Sequence, residues 1–209
     1  MNTQHFITFA LTALLLNLTP GNDMLFVIAR SVSQGIKAGI VSSLGIMSGC
    51  TIHLAAAIAG LSVILSKSAM AFELIKYIGA GYLIYLGIQS FGAGKKGKNP
   101  EEAIPTTPYR KIFLQAALTN ILNPKVALFF LAFLPQFVDI RRGNTAMQIL
   151  FLGIWFDLGG TLVNIGVSFF FGRFGRWISG SSGFVQWQKR ITGCLLIALG
   201  IKMAVSARK

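Results

Sequence analysis

Six long apolar runs, separated by short polar segments, dominate the pattern of the chain. They cover roughly residues 6–29, 39–65, 71–91, 112–134, 146–171 and 185–206. An α-helix needs about 20 apolar residues to cross the hydrocarbon core of a bilayer, and each run is about that long or longer. The stretch from residue 39 to residue 65 contains no Asp, Glu, Lys or Arg. The pattern therefore predicts an all-α integral membrane protein with six transmembrane helices.

The one extended polar segment lies between the third and fourth runs. Residues 92–111 read GAGKKGKNPEEAIPTTPYRK, and this content of Gly, Pro and Lys is typical of a flexible surface linker. The linker divides the chain into a first part, 1–91, and a second part, 112–209, each with three predicted helices. Residues 1–5 carry no Lys or Arg and the first apolar run is long, so we do not expect it to be a cleaved signal peptide.

The order of the runs repeats once along the chain. Residues 76–89 and residues 189–202 share Lys, Ile, Leu, Ile, Leu, Gly and Ile at a fixed offset of 113. The first run also resembles the fourth, with Pro20 opposite Pro124. Because a unit with three crossings leaves its copy starting on the opposite side, the halves are predicted to be inverted repeats, as in many secondary transporters. Resemblance of apolar helices through composition alone is the alternative.

Polar residues interrupt the first and fourth runs at equivalent places. NLTPGND (17–23) and NPK (123–125) each contain a proline, which removes a backbone N–H and breaks or kinks a helix. Backbone groups freed within lipid must find partners or line a polar cavity, so paired interruptions indicate a binding site near the middle of the membrane. Two simple kinks satisfied by neighbouring helices are the alternative. The candidate substrate-binding residues are Asn17, Pro20, Gly21, Asn22, Asp23, Asn120, Asn123, Pro124 and Lys125.

Three ionisable residues, Asp23, Lys125 and Asp157, lie within or beside apolar runs. Insertion scales put the cost of such a group at about 2.5 to 3.5 kcal/mol, and these groups usually face a cavity or one another. Asp157 stands alone in ILFLGIWFDLGGTLVN and is the candidate proton-coupling residue. A buried ion pair between Lys125 and an aspartate, which would only fix packing, is the alternative. His53 could also shuttle protons, although a single helical histidine is more often a hydrogen-bonded packing residue.

Composition and charge agree with a membrane protein. The chain is 54% hydrophobic and 12% charged, whereas a soluble domain carries about 25% charged residues. The net charge of +13 is explained by loop Lys and Arg that face anionic lipid, so nucleic acid is not expected as a partner. Eleven of the nineteen Lys and Arg follow the first, third and fifth runs and seven lie on the other side, which favours a cytoplasmic 92–111 loop with both termini outside. Because His and Cys residues lack ligand spacing, neither a metal nor another cofactor is expected.

An ordered set of motifs resembles the LysE/RhtB family of amino-acid exporters. The motifs are Pro20-Gly21, Asn123-Pro124-Lys125, FLPQF at 133–137 and YIGAGYLIYLG at 77–87. The resemblance extends over nearly the whole chain, and the ordered set is specific although each motif alone is weak. It implies a multi-pass protein of the bacterial inner membrane that expels amino acids or related metabolites, coupled to the proton gradient. The expected partners are a small amino acid, protons and membrane lipids, and a homodimer is an open alternative to a monomer.

A mechanism follows from the predicted site. Half-helix N-termini at the two breaks, together with Lys125, would hold a substrate carboxylate. Asp23 or Asp157 would hold the ammonium, and protonation of Asp157 would release it.

A heavy-metal or other ion exporter and a passive channel are alternatives on the same scaffold. An intramembrane aspartyl protease would need a GxGD sequence, which the chain lacks, and a thiol-electron carrier would need cysteines at equivalent positions of the two halves. The chain is therefore predicted not to be an enzyme.

Overall fold

The computed structural model describes residues 3–61 and 106–178, together with single helical positions between residues 70 and 88 and between residues 190 and 205. The α-helices in the two continuous stretches are α1 (Thr3–Leu18), α2 (Asn22–Gln34), α3 (Ile36–Ala56), α4 (Tyr109–Ile121), α5 (Pro124–Leu128) and α6 (Thr145–Ile178). A π-helix, Ala57–Leu61, continues α3, whereas α5 continues as the π-helix Phe129–Phe133 and the 3₁₀-helix Leu134–Phe137. A second 3₁₀-helix, Ile140–Arg142, precedes α6. These stretches contain no β-strand, which agrees with the predicted all-α class.

Two of the described helical segments are long and apolar enough to cross a membrane unaided. They are Ile36–Gly60 and Thr145–Gly175. Two further candidates are bent pairs: Gln4–Leu18 with Asn22–Gln34, at 49°, and Tyr109–Ile121 with Pro124–Phe137, at 47°. The described part of the chain therefore offers two to four membrane spans. The predicted third and sixth spans and most of the predicted linker lie outside the continuously described residues.

An aromatic cluster forms one end of the helix bundle. Its centre is a stack of Phe129 on Phe156, with ring centroids 3.6 Å apart. The ring of Phe130 contacts both of these rings edge-on, with centroid distances of 5.3 Å to Phe129 and 5.8 Å to Phe156. All three side chains are at most 4% exposed. Such dense aromatic packing excludes water. Buried aromatic side chains therefore hold α5, its π-helical continuation and α6 together at this level of the bundle.

A cluster of small polar side chains closes the bundle further along α6. Ser43 and Ser168 are fully buried and their hydroxyl oxygens lie 3.4 Å apart. A Cβ added to Gly39 would lie 2.7 Å from Ser168 Oγ and would also touch Ser31 Oγ, so only glycine allows α2, α3 and α6 to meet here. Phe156 and Ser168 are separated by twelve residues of α6, or about 18 Å. The space between the two clusters is where the polar side chains of α6 collect.

A polar cluster at the same end as the serines joins α2 to the second part of the chain. Arg30 donates from Nη1 to Thr107 Oγ1 at 3.1 Å and from Nη2 to Gln115 Oε1 at 2.9 Å. Gln34 Nε2 donates to Thr107 O at 3.0 Å. These bonds hold the end of α2 against α4 and the residues that lead into it.

Close packing of α3 on α4 depends on glycines of α3. A Cβ at Gly45 would lie 2.8 Å from Ala116 Cβ and would also contact Phe113 O, while a Cβ at Gly49 would lie 2.6 Å from Ala117 O. Small residues allow helix backbones to approach each other closely in a membrane. Gly45 and Gly49 are therefore packing positions between α3 and α4.

Gly45→Ala is expected to lower the stability of the folded protein. The new methyl group would overpack the α3–α4 contact, at a cost of about 1–3 kcal/mol. Gly166→Ala on α6 is the matched control, because a Cβ there meets nothing within 4 Å and alanine favours the helix by up to about 1 kcal/mol. Thermal unfolding of the purified variants in detergent measures both effects. A Gly45→Ala variant as stable as Gly166→Ala would contradict the packing argument.

Described positions on the third and sixth apolar runs also pack against each other. A Cβ at Gly87 would lie 2.6 Å from Ile197 Cγ1, and a Cβ at Gly200 would lie 2.7 Å from Ile84 Cγ1. Gly87 of the third run thus packs against Ile197 of the sixth run, and Gly200 of the sixth run packs against Ile84 of the third.

Candidate functional site

The break between α1 and α2 is closed by a lysine from α5. Pro20 has no N–H to continue the helical ladder. The last carbonyls of α1 therefore need another donor, and Lys125 Nζ supplies it, to Leu16 O at 3.2 Å and to Thr19 O at 2.9 Å. Gly21 leaves room for the lysine, since a Cβ there would lie 3.2 Å from Nζ. Lys125 is thus a cap on the end of α1.

The break between α4 and α5 is closed in a similar way. Asn123 Oδ1 accepts a hydrogen bond from Lys125 N at 3.0 Å, which caps α5, and Pro124 occupies its first turn, where a missing N–H is tolerated. His53 Nε2 on α3 lies 3.1 Å from Asn120 O near the end of α4. With the Nε2–H tautomer the imidazole donates to this carbonyl.

The side chain that contacts each break comes from the other part of the chain. Lys125, from the second part, caps the break in the first, and His53, from the first part, lies on the break in the second. The side chain of Asn123 already occupies one N–H at the start of α5. Lys125 and the start of α5 therefore have intramolecular partners in this structure, whereas the N-terminus of α2 has no side-chain cap. His53 has the hydrogen-bonded packing role that was the more common alternative to proton shuttling.

Asp23 and Asn120 form a buried pair between α2 and α4. Asn120 Nδ2 donates to Asp23 Oδ2 at 2.8 Å. Asn120 is 2% exposed and Asp23 is 9% exposed. Asp23 Oδ1 and Asn120 Oδ1 are buried without a hydrogen-bond partner, as is Thr161 Oγ1 on α6. Buried polar atoms are almost always hydrogen-bonded in folded proteins. Asn123 Nδ2 is a buried donor that likewise has no partner within hydrogen-bond distance, and it lies near enough to Asp23 to interact with the carboxylate. The acceptors at Asp23 and Asn120 nevertheless outnumber the donors that the protein supplies to them.

These residues surround a cavity between the aromatic and serine clusters. The space that it offers to the centres of water-sized molecules is about 40 Å³. The lining residues are Asn17, Asp23, Met24, Ile46, Cys50, Asn120, Lys125, Val126, Phe156, Asp157, Gly160, Thr161 and Asn164. Carboxylates and amides face apolar side chains across this space, a combination that suits a small polar molecule.

Half of the predicted site residues line this cavity. They are Asn17, Asp23, Asn120, Lys125 and Asp157. The remaining five, Pro20, Gly21, Asn22, Asn123 and Pro124, belong to the two breaks and do not line it. Asn22 is exposed, at the first position of α2. The prolines and Asn123 thus shape the helix ends, while side chains one turn away reach the cavity.

Other lining residues escaped the sequence analysis. Thr161 and Asn164 follow Asp157 by four and seven residues on α6, the spacing of one helical face. Polar residues at this spacing in an apolar run could have identified the cavity-facing side of α6 from the sequence. Met24, Ile46, Val126 and Phe156 carried no such signal, because apolar residues in an apolar run do not reveal which face meets a cavity.

Asn17 holds α1 against the middle of α6 at the edge of the cavity. Its Nδ2 donates to Phe156 O at 3.0 Å. A Cβ at Gly160 would lie 2.9 Å from Asn17 Oδ1, so this glycine leaves space for the amide. Cys50 from α3 lies beside Asp157, near enough for the thiol and carboxylate to interact. Within the described residues, no group of three or more His, Cys, Asp or Glu side chains could hold a metal ion.

An all-helical membrane fold with a small polar cavity among its helices is an architecture that suits a translocator of small molecules. The chain matches the LysE type translocator family over residues 14–207 and belongs to that family. It is therefore a membrane transport protein and not an enzyme, as the sequence motifs predicted.

Two curated relatives cover nearly the full length. The chain is similar to a homoserine/homoserine lactone efflux protein of Salmonella typhimurium, with 32% identity over 209 residues, 100% of this chain and 99% of the relative. It is also similar to the uncharacterized membrane protein YrhP of Bacillus subtilis, with 34% identity over 203 residues, 93% of this chain and 95% of the relative. No solved structure matches the chain.

Proposed function

We propose that the protein exports small amino acids or closely related metabolites across the bacterial inner membrane, in exchange for protons that enter the cell. The observation that carries this proposal is the cavity bordered by Asp23, Asn120 and Asp157, between two bent helix pairs. Family membership and the efflux relative support transport outward. A small cavity with both charged and apolar walls suits a molecule with an ammonium group and a short side chain.

An inverted repeat accounts for the placement of this cavity. Under the offset of 113 residues, Gly87 corresponds to Gly200 and Ile84 to Ile197. The contact of Gly87 with Ile197 then maps onto the contact of Gly200 with Ile84. Such an exchange of partners is what a two-fold relation between the halves produces. The bends of 49° and 47° at the two proline-containing breaks support the same relation, and midplane sites at broken helices are typical of inverted-repeat transporters.

Asp157 is the proposed proton carrier. Of the carboxylates that line the cavity, Asp23 is bonded to Asn120, whereas Asp157 faces the cavity beside Cys50 and has no ion pair with any cation among the described residues. A carboxylate within a membrane that is not paired with a cation is a favourable site for reversible protonation. Proton binding there would remove one negative charge from the cavity, which lowers the affinity for a substrate ammonium and favours release to the outside.

Asp157→Asn is expected to uncouple transport from protons. In proteoliposomes loaded with labelled L-homoserine, an imposed pH gradient should accelerate efflux through the wild type, while the variant keeps gradient-independent exchange. A tenfold smaller acceleration of efflux by the pH gradient corresponds to a loss of roughly 1.4 kcal/mol. Efflux by the variant that still follows the gradient would exclude Asp157 as the proton carrier. Flux through the wild type that ignores the gradient would favour a passive channel.

Asp139→Asn is the matched control for this experiment. Asp139 lies in the connection before α6, pairs with Arg142 at 3.2 Å and is 42% exposed. Exposed ion pairs contribute about 0–1 kcal/mol, and asparagine still caps the short 3₁₀-helix. The control should retain proton-driven efflux at the level of the wild type.

A further inference from the structure

We infer that Asp23 Oδ1 and Asn120 Oδ1 form an ammonium subsite, so that the transported molecule is recognised through a primary amine more than through a carboxylate. This assignment rests on the proposed function and specifies the chemistry of the same cavity. The two oxygens are buried and have no partner.

Both oxygens can only accept hydrogen bonds. Asn120 Nδ2 donates to Asp23 Oδ2 at 2.8 Å, and the carboxylate offers no proton in return, which fixes the orientation of the amide. Asn120 Oδ1 therefore points away as an acceptor, next to a carboxylate whose second oxygen is also unused. An ammonium carries three N–H donors and one positive charge. It satisfies both acceptors and neutralises Asp23, which a carboxylate could not do.

The cationic side of the cavity is less available to a ligand. Lys125 Nζ already donates to Leu16 O and Thr19 O, at 3.2 and 2.9 Å. One N–H of the lysine remains for a ligand, whereas Asp23 and Asn120 together offer two unused acceptors. Lys125 thus offers a substrate carboxylate one remaining N–H, whereas Asp23 Oδ1 and Asn120 Oδ1 have no hydrogen-bond partner.

The acceptor geometry is set by α3. His53 Nε2 lies 3.1 Å from Asn120 O, and a Cβ at Gly49, one turn earlier, would lie 2.9 Å from Asn120 Cβ. Asn120 is therefore held from both its backbone and its side chain. His53 is a positioning residue in this account, because it acts on the substrate only through Asn120.

The assignment predicts selectivity by chemical class. Amino acids and derivatives that keep a free amine, such as lactones, esters or amides, should bind. Acylation of the amine removes its charge and two of its donors, leaving Asp23 and one acceptor unsatisfied. Sites built around buried polar groups reject a ligand that leaves those groups unpaired.

Ligand-induced thermal stabilisation of the purified full-length protein tests this selectivity without requiring transport. The probes are L-homoserine, L-homoserine lactone and N-acetyl-L-homoserine. We expect the first two to stabilise at concentrations within about threefold of each other, and the acetylated compound to need at least about 30-fold more. Equal stabilisation by the acetylated compound, no effect of the lactone, or no effect of all three would overturn the subsite.

Two variants separate the subsite from general packing. Asn120→Leu should raise the required concentrations of homoserine and lactone by the same factor, about tenfold or more. His53→Gln, which keeps a donor, should bind more nearly like the wild type than His53→Phe. Unchanged ligand affinity in Asn120→Leu would contradict the assignment. Binding with this selectivity in a protein that moves no homoserine in proteoliposomes would reject the export proposal alone.

Discussion

Lys125→Met is expected to abolish export and to lower the stability of the protein. The lysine caps Leu16 O and Thr19 O at the end of α1 and fills the space left by Gly21. Methionine keeps the volume but offers no donor, so Thr19 O loses its hydrogen bond from the lysine and Leu16 O keeps only the bond from Thr19 N at 3.2 Å. Each unsatisfied buried group costs about 1–3 kcal/mol. Loss of the charge also leaves Asp23 and Asp157 without a cation in the cavity, and export should fall by at least about 100-fold.

Lys111→Met is the control for this variant, because Lys111 is exposed in the first turn of α4. Export rates are compared at equal amounts of protein in the membrane, and thermal unfolding is measured on the purified proteins. Normal stability together with normal export in Lys125→Met would remove the capping role of the lysine.

Gly160→Leu is expected to block export in a protein that still folds. Gly160 lines the cavity, and a Cβ there would already lie 2.9 Å from Asn17 Oδ1. A leucine side chain would displace the Asn17 amide from Phe156 O and occupy the space of the substrate. Leucine also favours a helix over glycine by about 0.5–1 kcal/mol, which offsets part of the strain. We expect export to fall about 100-fold or more with little change in membrane abundance.

Gly166→Leu provides the comparison on the same helix. Gly166 is exposed and a Cβ there meets no atom within 4 Å, so the added side chain should enter lipid without touching the bundle. Export is measured as efflux of labelled L-homoserine from proteoliposomes containing each variant. Equal efflux from the two leucine variants would mean that the cavity is not the transport site.

Part of this account could be predicted from the sequence. The apolar runs and the ordered motifs gave the membrane location and the translocator family, because both depend on composition and local order. The ionisable residues Asp23, Lys125 and Asp157 were identifiable as cavity candidates from the high cost of charge in lipid. The polar stripe of Thr161 and Asn164 on the face of Asp157 was available from helical spacing alone.

The pairing of the site residues could not be predicted in the same way. Lys125 bonds to carbonyls more than one hundred residues earlier, and His53 lies on the carbonyl of Asn120. Such partners are chosen by tertiary packing, which no local pattern records. The sequence suggested helix N-termini as anion sites, but it gave no sign that Asn123 would cap α5 with its own side chain. The two unused acceptors of the Asp23–Asn120 pair likewise appear only once α2 and α4 are brought together.

Substrate protection of Cys50 tests the central claim most directly, namely that substrate binds in this cavity. Cys50 lines the cavity, and replacement of the exposed Cys194 by serine leaves it as the single thiol of the chain. With L-homoserine at ten times its dissociation constant, labelling of Cys50 by N-ethylmaleimide should slow by about tenfold. An unchanged labelling rate, in a preparation that exports L-homoserine normally, would place the substrate elsewhere and contradict the account.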